Sequence, residues 1–274
     1  MAAFFCALAI LPCTTPPALA GDGPVSLAIE TVSPGREGLE LSAHLAGTLQ
    51  PVSRGLSWTI HTAEGEPVYA GQSAAADVVT PPGDYVVDMQ YGAGRLTRLV
   101  SLPAATRLRI DFALNAGGIR IVPRAGGAAL PAGGARLRVF TLQQGEPNRR
   151  MALMATAGDI LPLPEGRYRI ESQVGDGNAK AVADVEVKAG FLSTVEINHK
   201  VGIARLALAR SPVAEVAWSV EDTHGVTVAS RQGPTSAIIL IPGTYTVRAN
   251  TGDTMLSAAF VIAPGQSRDV ILED

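Results

Sequence analysis

Apolar and polar residues alternate along most of this chain with a period of two. The alternation is clearest in residues 85–91 and 245–250, where every second residue belongs to one apolar or aromatic set. Successive side chains of a strand point to opposite faces, so this pattern predicts strands with one buried and one solvated face. After the first twenty residues, no stretch of 12 residues keeps the period of an amphipathic helix. We therefore predict an all-β protein.

The chain carries three copies of one sequence frame. In each copy an aromatic residue lies in a β-like segment, a Gly-x-Tyr turn opens a later strand, and another glycine follows the tyrosine seven positions on. The aromatic residue precedes the tyrosine by 27, 28 and 27 residues. A period of about 80 residues exceeds the usual solenoid unit, so each copy is predicted to be a small domain. The markers are Trp58, Gly83, Tyr85 and Gly92, then Phe140, Gly166, Tyr168 and Gly175, then Trp218, Gly243, Tyr245 and Gly252.

Each copy contains about seven short predicted strands. This number is typical of a β-sandwich, in which two antiparallel sheets bury their alternate residues against each other. We predict three sandwich repeats at residues 38–116, 117–201 and 202–274, called repeats 1, 2 and 3 below, and an N-terminal tether at residues 21–37. Because the linkers are short, the repeats are expected to form a semi-rigid rod.

Residues 1–20 differ in composition from the rest of the chain. An apolar run fills residues 2–11, and residues 18–20 have the small-x-small pattern of a signal-peptidase site. We predict a signal peptide cleaved after Ala20 and a periplasmic or secreted mature protein. No Lys or Arg precedes the apolar run, so either the start is misassigned or the amino terminus alone supplies the charge. No later segment approaches 18 apolar residues, so no transmembrane segment is predicted after it.

Both cysteines of the chain, Cys6 and Cys13, lie in the predicted leader. The mature protein is therefore expected to have no disulfide, thiolate metal site or cysteine nucleophile. A lipid anchor on Cys13 is the alternative, which the proline before it disfavours.

The composition and the net charge limit the classes of partner that we expect. Apolar residues make up 47% of the chain, enough for buried cores. The net charge is −3, from 22 basic and 25 acidic residues, so nucleic acid is an unexpected partner.

Candidate chemistry is sparse. The four histidines show no metal-ligand spacing and are interpreted as surface residues: His44, His61, His199 and His224. No Gly-x-Ser-x-Gly elbow or phosphate loop occurs. Residues 175–178, Gly-Asp-Gly-Asn, weakly resemble a calcium loop but lie where a hairpin turn is expected. We predict no catalytic site, no metal site and no cofactor.

An arginine cluster in repeat 2 has two interpretations. Arg136, Arg138, Arg149 and Arg150 could form a patch for an anionic partner, such as an acidic polysaccharide or protein face. The same residues also fit the solvated faces of strands, where arginine points away from the core.

The aromatic markers also have two interpretations. A tyrosine at such a turn can bury its ring while its hydroxyl donates to a backbone carbonyl upstream, as in the tyrosine corner of immunoglobulin domains. Equivalent positions in all copies favour core packing for Trp58, Phe140 and Trp218. Binding by a tyrosine ladder, or sugar stacking on the other aromatic residues, is the alternative.

Together, the Pro-Gly-x-Tyr strand, the glycine seven residues later, the Ala/Pro-Gly turn at Ala189-Gly190 and Pro264-Gly265, and the closing strand resemble the carboxypeptidase-regulatory-like and PEGA-type modules of bacterial envelope proteins. Repeat 1 departs by having Ala104-Ala105 at the last turn. The resemblance implies Ig-like or prealbumin-like sandwiches, which usually serve as non-catalytic spacer, accessory or adhesion domains without a shared active site.

Two functions follow from these observations. The first is a non-catalytic exported envelope protein, a structural, scaffold or protein-docking module whose partner is an envelope protein. The alternative is a glycan-binding sandwich array, which requires aromatic residues on a solvated face. Enzymatic activity is not predicted, since no group of residues supplies a nucleophile, a base and an oxyanion donor.

Overall fold

The structure is a computed structural model that describes residues 25–48, 51–142, 150–209, 215–252 and 254–273. It confirms the all-β prediction, since the described residues form strands and turns without a helix. In particular, they include no helix long and apolar enough to cross a membrane. The predicted leader, with Cys6 and Cys13, lies outside the described residues.

The described residues of repeat 1 and of the segment before it form eight strands in two sheets. The strands are β1 (Val25–Thr31), β2 (Gly38–Leu45), β3 (Leu56–Thr62), β4 (Pro67–Gln72), β5 (Ala76–Val79), β6 (Gly83–Tyr91), β7 (Gly94–Leu102) and β8 (Thr106–Leu114). One sheet has the order β1-β8-β2-β5 and the other β4-β3-β6-β7. In each repeat we call the sheet with the first repeat strand the opening sheet, and the sheet with the Gly-x-Tyr strand the tyrosine sheet.

Repeat 2 follows the same plan. Its strands are β9 (Ala116–Ala125), β10 (Ala128–Ala129), β11 (Arg136–Thr141), β12 (Arg150–Ala155), β13 (Ile160–Pro164), β14 (Gly166–Gln173), β15 (Lys180–Val187) and β16 (Leu192–His199). In the opening sheet, β9 pairs with β10 and β13 and also with β16. The tyrosine sheet has the order β12-β11-β14-β15.

The described residues of repeat 3 form seven strands. They are β17 (Gly202–Leu208), β18 (Ala217–Glu221), β19 (Thr227–Gln232), β20 (Thr235–Leu240), β21 (Gly243–Asn250), β22 (Met255–Ile262) and β23 (Ser267–Leu272). The opening sheet has the order β20-β17-β23, and the tyrosine sheet β19-β18-β21-β22.

One strand pair in each of repeats 2 and 3 departs from the predicted antiparallel arrangement. β16 runs parallel to β9, and β23 runs parallel to β17. In repeat 3 the paired strands are the first and the seventh, which run in the same direction when the chain reverses at each turn. The sequence pattern marks buried faces but does not specify which strands pair, so it missed this feature.

The alternating residues of both sheets meet in a buried core, as predicted. In repeat 3 one core cluster joins side chains of β17, β20 and β23 to side chains of β18, β19, β21 and β22. In repeat 1 the rings of Trp58 and Phe112, from opposite sheets, lie 5.8 Å apart. Burial of such large side chains contributes about 2–3 kcal/mol each, so these interiors account for the stability of the sandwiches.

Part of the predicted tether belongs to a sheet. β1 pairs antiparallel with β8 from Val25 opposite Phe112 to Thr31 opposite Thr106, while residues 21–24 lie outside the described part. Internal contacts divide the chain into two compact units. The first contains residues up to Ala43 and Val52–Phe112, and the second His44–Pro51 and the chain from Ala113 onward, so repeats 2 and 3 belong to one unit.

Candidate functional site

The three marker tyrosines are buried, with 4%, 2% and 3% of their surface exposed. Each hydroxyl donates a hydrogen bond to the carbonyl four residues upstream, at 2.6 Å from Tyr85 to Pro81, 2.9 Å from Tyr168 to Pro164 and 2.8 Å from Tyr245 to Ile241. Burial raises the pKa of Tyr168 to about 12. The rings therefore brace the turns, and a ladder of exposed tyrosines does not form at these positions.

Glycines accompany each tyrosine. A β-carbon at Gly83, Gly166 or Gly243 would lie 3.9, 3.7 or 3.4 Å from the tyrosine two residues on, so these glycines lie against the ring. The later glycines, Gly92, Gly175 and Gly252, have φ values of 56°, 63° and 93° and turn the hairpin after the tyrosine strand. A positive φ strains residues with a side chain, which explains glycine at these hairpins.

Trp58 and Trp218 are core residues, each with 1% of its surface exposed. Their indole Nε1 groups donate to backbone carbonyls at the same sequence distance, to Ser73 at 3.1 Å and to Gly233 at 2.8 Å. A buried indole whose only donor is satisfied cannot serve as an exposed stacking platform.

Phe140 is not their equivalent, which corrects the expectation that it packs in the core. Each tryptophan lies opposite the residue four positions after the marker tyrosine, and in repeat 2 that residue, Ser172, lies opposite Leu137. Phe140 lies opposite Arg169, three residues before Ser172. Because three is an odd number, the Phe140 side chain lies on the other face of the strand, where it is half-buried. The spacing of 28 instead of 27 residues was the sequence sign of this difference.

The β14–β15 hairpin of repeat 2 lies directly against repeat 3. A β-carbon on Gly175 would come within 3.3 Å of the Ile239 side chain, and one on Gly177 within 2.5 Å of the Ile239 carbonyl oxygen. At position 177 only glycine allows the hairpin backbone to approach strand β20 this closely. We call this contact between residues 174–179 of repeat 2 and repeat 3 the joint.

Asn178 supplies the hydrogen bonds of the joint. Its side-chain oxygen accepts from the amide of Ile241 at 3.1 Å, and its Nδ2 donates to the Tyr245 hydroxyl at 3.0 Å. The Tyr245 hydroxyl donates its own hydrogen bond to the Ile241 carbonyl, so Asn178 contacts both residues that form the corner of repeat 3. The Ile241 amide is specific to repeat 3. Repeats 1 and 2 have Pro81 and Pro164 at this position, and proline has no N–H to donate.

Asp176 adds ion pairs at the same place. Its carboxylate contacts Arg136 of repeat 2 at 2.9 Å and also contacts Arg231 of repeat 3. Exposed pairs of this kind contribute little individually, about 0–1 kcal/mol, so they orient the joint more than they stabilise it. Two guanidinium groups on the one carboxylate also disfavour the calcium-loop interpretation. Among the described residues, no group of three histidine, cysteine or acidic side chains could hold a metal ion.

His199 is buried, with 3% of its surface exposed, which corrects its interpretation as a surface residue. Its Nε2 lies 2.8 Å from the hydroxyl of Ser172, which is 1% exposed. Burial lowers the pKa of His199, so the imidazole is neutral in the fold at neutral pH. Although Ser and His pairs occur in hydrolases, this pair lies within the core, where a substrate has no access. His44, His61 and His224 are partly or fully exposed.

The structure describes the side chains of two of the four arginines in the predicted cluster of repeat 2. Arg136 and Arg138 lie on the outer face of β11 and line a groove of about 550 Å³ with Lys180. Arg136 pairs with Asp176 at 2.9 Å, and Arg138 pairs with Glu171 at 3.4 Å. Arg149 and the side chain of Arg150 lie outside the described residues. The described pair therefore belongs to a surface of mixed charge.

Comparisons with known proteins match one part of the chain to a family. Residues 208–273, within repeat 3, match the model of the Rhizobiales growth-associated tandem repeat domain. No curated protein matches the chain.

Similar solved structures are bacterial proteins of low sequence identity. The TIE protein of Bacillus anthracis is 13% identical, with a TM-score of 0.24, over 93% of this chain and 59% of that protein. A streptococcal ancillary pilin is 10% identical over 87% of this chain and 98% of its own, with a TM-score of 0.37. The minor pilin of Streptococcus agalactiae is 11% identical over 58% and 94%, with a TM-score of 0.34.

Proposed function

We propose that this chain is a non-catalytic exported protein of the cell envelope, in which the repeats act as a structural and docking module. The marker tyrosines brace turns, the two tryptophans fill cores, and Asn178 joins repeats 2 and 3, so these residues serve the architecture. The match of repeat 3 to a growth-associated tandem repeat domain supports a role associated with growth. The predicted leader supports export.

The joint is the observation that carries the proposal. Two repeats connected only by a linker would move independently, whereas the hairpin of repeat 2 is hydrogen-bonded to the corner of repeat 3 through Asn178. Such a contact holds two sandwiches as one body, which is what a spacer or scaffold needs. The contact requires glycine at position 177, because a β-carbon there would lie 2.5 Å from the Ile239 carbonyl oxygen.

Edge strands of the tyrosine sheets offer the docking surface. β7, β15 and β22 each end a sheet and carry an exposed aliphatic residue, namely Leu99 at 79%, Val182 at 57% and Val261 at 50%. An edge strand presents unpaired backbone groups that a partner strand can bind. An envelope protein with an extended segment fits this surface.

In-cell cross-linking tests the proposal. A photo-reactive amino acid is placed at Leu99, Val182 or Val261 in the native host, and captured proteins are identified by mass spectrometry. Position Val226, 58% exposed in the β18–β19 turn, is the control for nonspecific capture. We expect one envelope protein to be captured at an edge position and absent at Val226. Capture of glycan alone, or the same proteins at all four positions, would contradict the docking role.

A further inference from the structure

The outer edge of strand β16 in repeat 2 is open. Among the described strands, β16 pairs with β9 alone. Its counterpart in repeat 1, β8, has neighbours on both sides, because the additional strand β1 pairs antiparallel along it over seven residues. The chain itself thus shows that this edge of the fold accepts an antiparallel strand.

The backbone groups available at the β16 edge can be assigned. The amide of Gly118 on β9 donates to the carbonyl of Phe191 at 2.8 Å, which sets the phase of the pairing. Amide and carbonyl groups of a strand alternate sides, so odd-numbered residues of β16 face β9 and even-numbered residues face outward. The open edge therefore presents both groups of its even-numbered residues, Leu192, Thr194, Glu196 and Asn198.

This edge lacks the usual protection against pairing. Natural edge strands are blunted by charges, proline or short length. β16 is eight residues long and has one charged residue, Glu196, whose charge is balanced by Arg124 at 2.8 Å. Beside it, Leu192 is 49% exposed and Phe191 is 68% exposed. The equivalent open edge of repeat 3, β23, is shorter and carries Arg268 and Asp269.

We propose that β16 pairs with β16 of a second copy of this chain across a twofold axis, which joins two opening sheets into one. In the proposed register, Val195 lies opposite Val195 of the second copy. Each residue whose backbone groups face outward then lies opposite another such residue of the second copy. Thr194 then faces Glu196 of the second copy, and Leu192 faces Asn198. No like charges are directly opposed in this register, and two apolar side chains meet at the axis.

A second copy fits this edge better than a different partner because the strand is self-complementary. A twofold pairing adds up to eight backbone hydrogen bonds in this register without opening any existing strand pair. Moving β1 of another molecule onto β16, in contrast, would leave that molecule's β8 uncovered. The inference stands apart from the proposed function, since purified protein is enough to test it.

Proline at position 194 gives the first test. Thr194 is exposed and its amide points away from β9, so Thr194→Pro removes an edge donor while sparing the ladder inside the sheet. Because both copies in the dimer carry the substitution, two intermolecular hydrogen bonds are lost. The dimer dissociation constant, measured by analytical ultracentrifugation, should therefore rise about 100-fold. Thr194→Ala is the matched control and should associate as the unchanged protein does. A monomer at all concentrations before any change, or equal association of both variants, would overturn the proposal.

A single cysteine at the axis gives the second test. Opposite residues of a pair without direct hydrogen bonds have α-carbons about 4.5 Å apart, which suits a disulfide. In a background with Cys6→Ser and Cys13→Ser, Val195→Cys should oxidise to a covalent dimer, whereas Val226→Cys should not. Equal dimer yields from both variants would contradict the twofold register. Cross-linking of Val195→Cys mainly to a different protein in the cell would replace the second copy with that partner.

Discussion

Replacing Ala105 by glycine should stabilise repeat 1. Ala105, in the turn between β7 and β8, has a φ of 54°, the only positive φ among the described residues that are not glycine. The left-handed conformation costs a residue with a β-carbon about 1–2 kcal/mol. At the same turn repeats 2 and 3 have Gly190 and Gly265, with φ values of 75° and 72°. The sequence departure in repeat 1 thus coincides with a strained backbone.

A hydrogen bond to the Glu37 carboxylate stabilises the strained conformation of Ala105. The carboxylate of Glu37, which is 6% exposed, accepts hydrogen bonds from the Ala105 amide at 3.2 Å and from the Gly35 amide at 2.6 Å. One side chain therefore fixes two adjacent turns. The Ala105→Gly change keeps the amide, so these bonds should survive the substitution.

The expected gain is the relief of strain minus the entropy that glycine adds to the unfolded chain. With about 1–2 kcal/mol for the first and about 0.4–1 kcal/mol for the second, Ala105→Gly should stabilise by about 0.5–1 kcal/mol. Gly265→Ala is the mirror experiment, because a β-carbon there would meet nothing within 4 Å. It should destabilise repeat 3 by a similar amount.

Urea unfolding with two local probes measures both effects. Trp58 reports on repeat 1 and Trp218 on repeat 3, so each variant is compared with a parent in which the other tryptophan is phenylalanine. Separate probes are needed because the chain has two compact units, which can unfold in separate transitions. Changes of the same sign for Ala105→Gly and Gly265→Ala would refute the strain argument.

Three further predictions concern the joint and two buried groups. Asn178→Ala should lower the free energy of unfolding seen by Trp218 by about 1–3 kcal/mol, since two hydrogen bonds are lost. The lowered pKa of His199 means that the unfolded chain binds protons more readily, so stability should fall as the pH drops below about 6.5, the ordinary pKa of histidine. The double change Ser172→Ala with His199→Leu should flatten urea midpoints between pH 7 and 5, and an unchanged slope would assign the effect elsewhere. Backbone hydrogen bonds lower the pKa of Glu37, so its stabilisation should be complete above its usual pKa of 4.5 and decline as the pH falls further, and Glu37→Gln should remove that decline.

The periodicity predicted much of the fold because it reports directly on burial. Alternation placed the strands, and the Gly-x-Tyr turns marked a strand whose third residue is a buried tyrosine in every repeat. Pairing is a different matter, since residues that alternate identically can pair in either direction. The parallel pairing of β16 with β9 therefore required the structure.

The two misassigned residues have different physical causes. Phe140 matched the tryptophans in residue type and nearly in spacing, but one additional residue moves a side chain to the other face of a strand. His199 was interpreted as a surface residue because the histidines show no metal-ligand spacing, but the serine that forms a hydrogen bond with it lies 27 residues away in the sequence. Long-range partners of this kind leave no local pattern.

The joint shows how nearly identical corners can differ in function. In all three repeats the carbonyl of the residue four positions before the tyrosine accepts a hydrogen bond from the tyrosine hydroxyl. Its amide side is free to vary, and Ile241 alone of the three has an N–H, which Asn178 binds. Hence the corner that stabilises each repeat becomes, in repeat 3, a docking point for the preceding hairpin. A few turn residues therefore join repeat 3 to the hairpin of repeat 2, and they do so without altering the tyrosine corner that repeat 3 shares with the other two repeats.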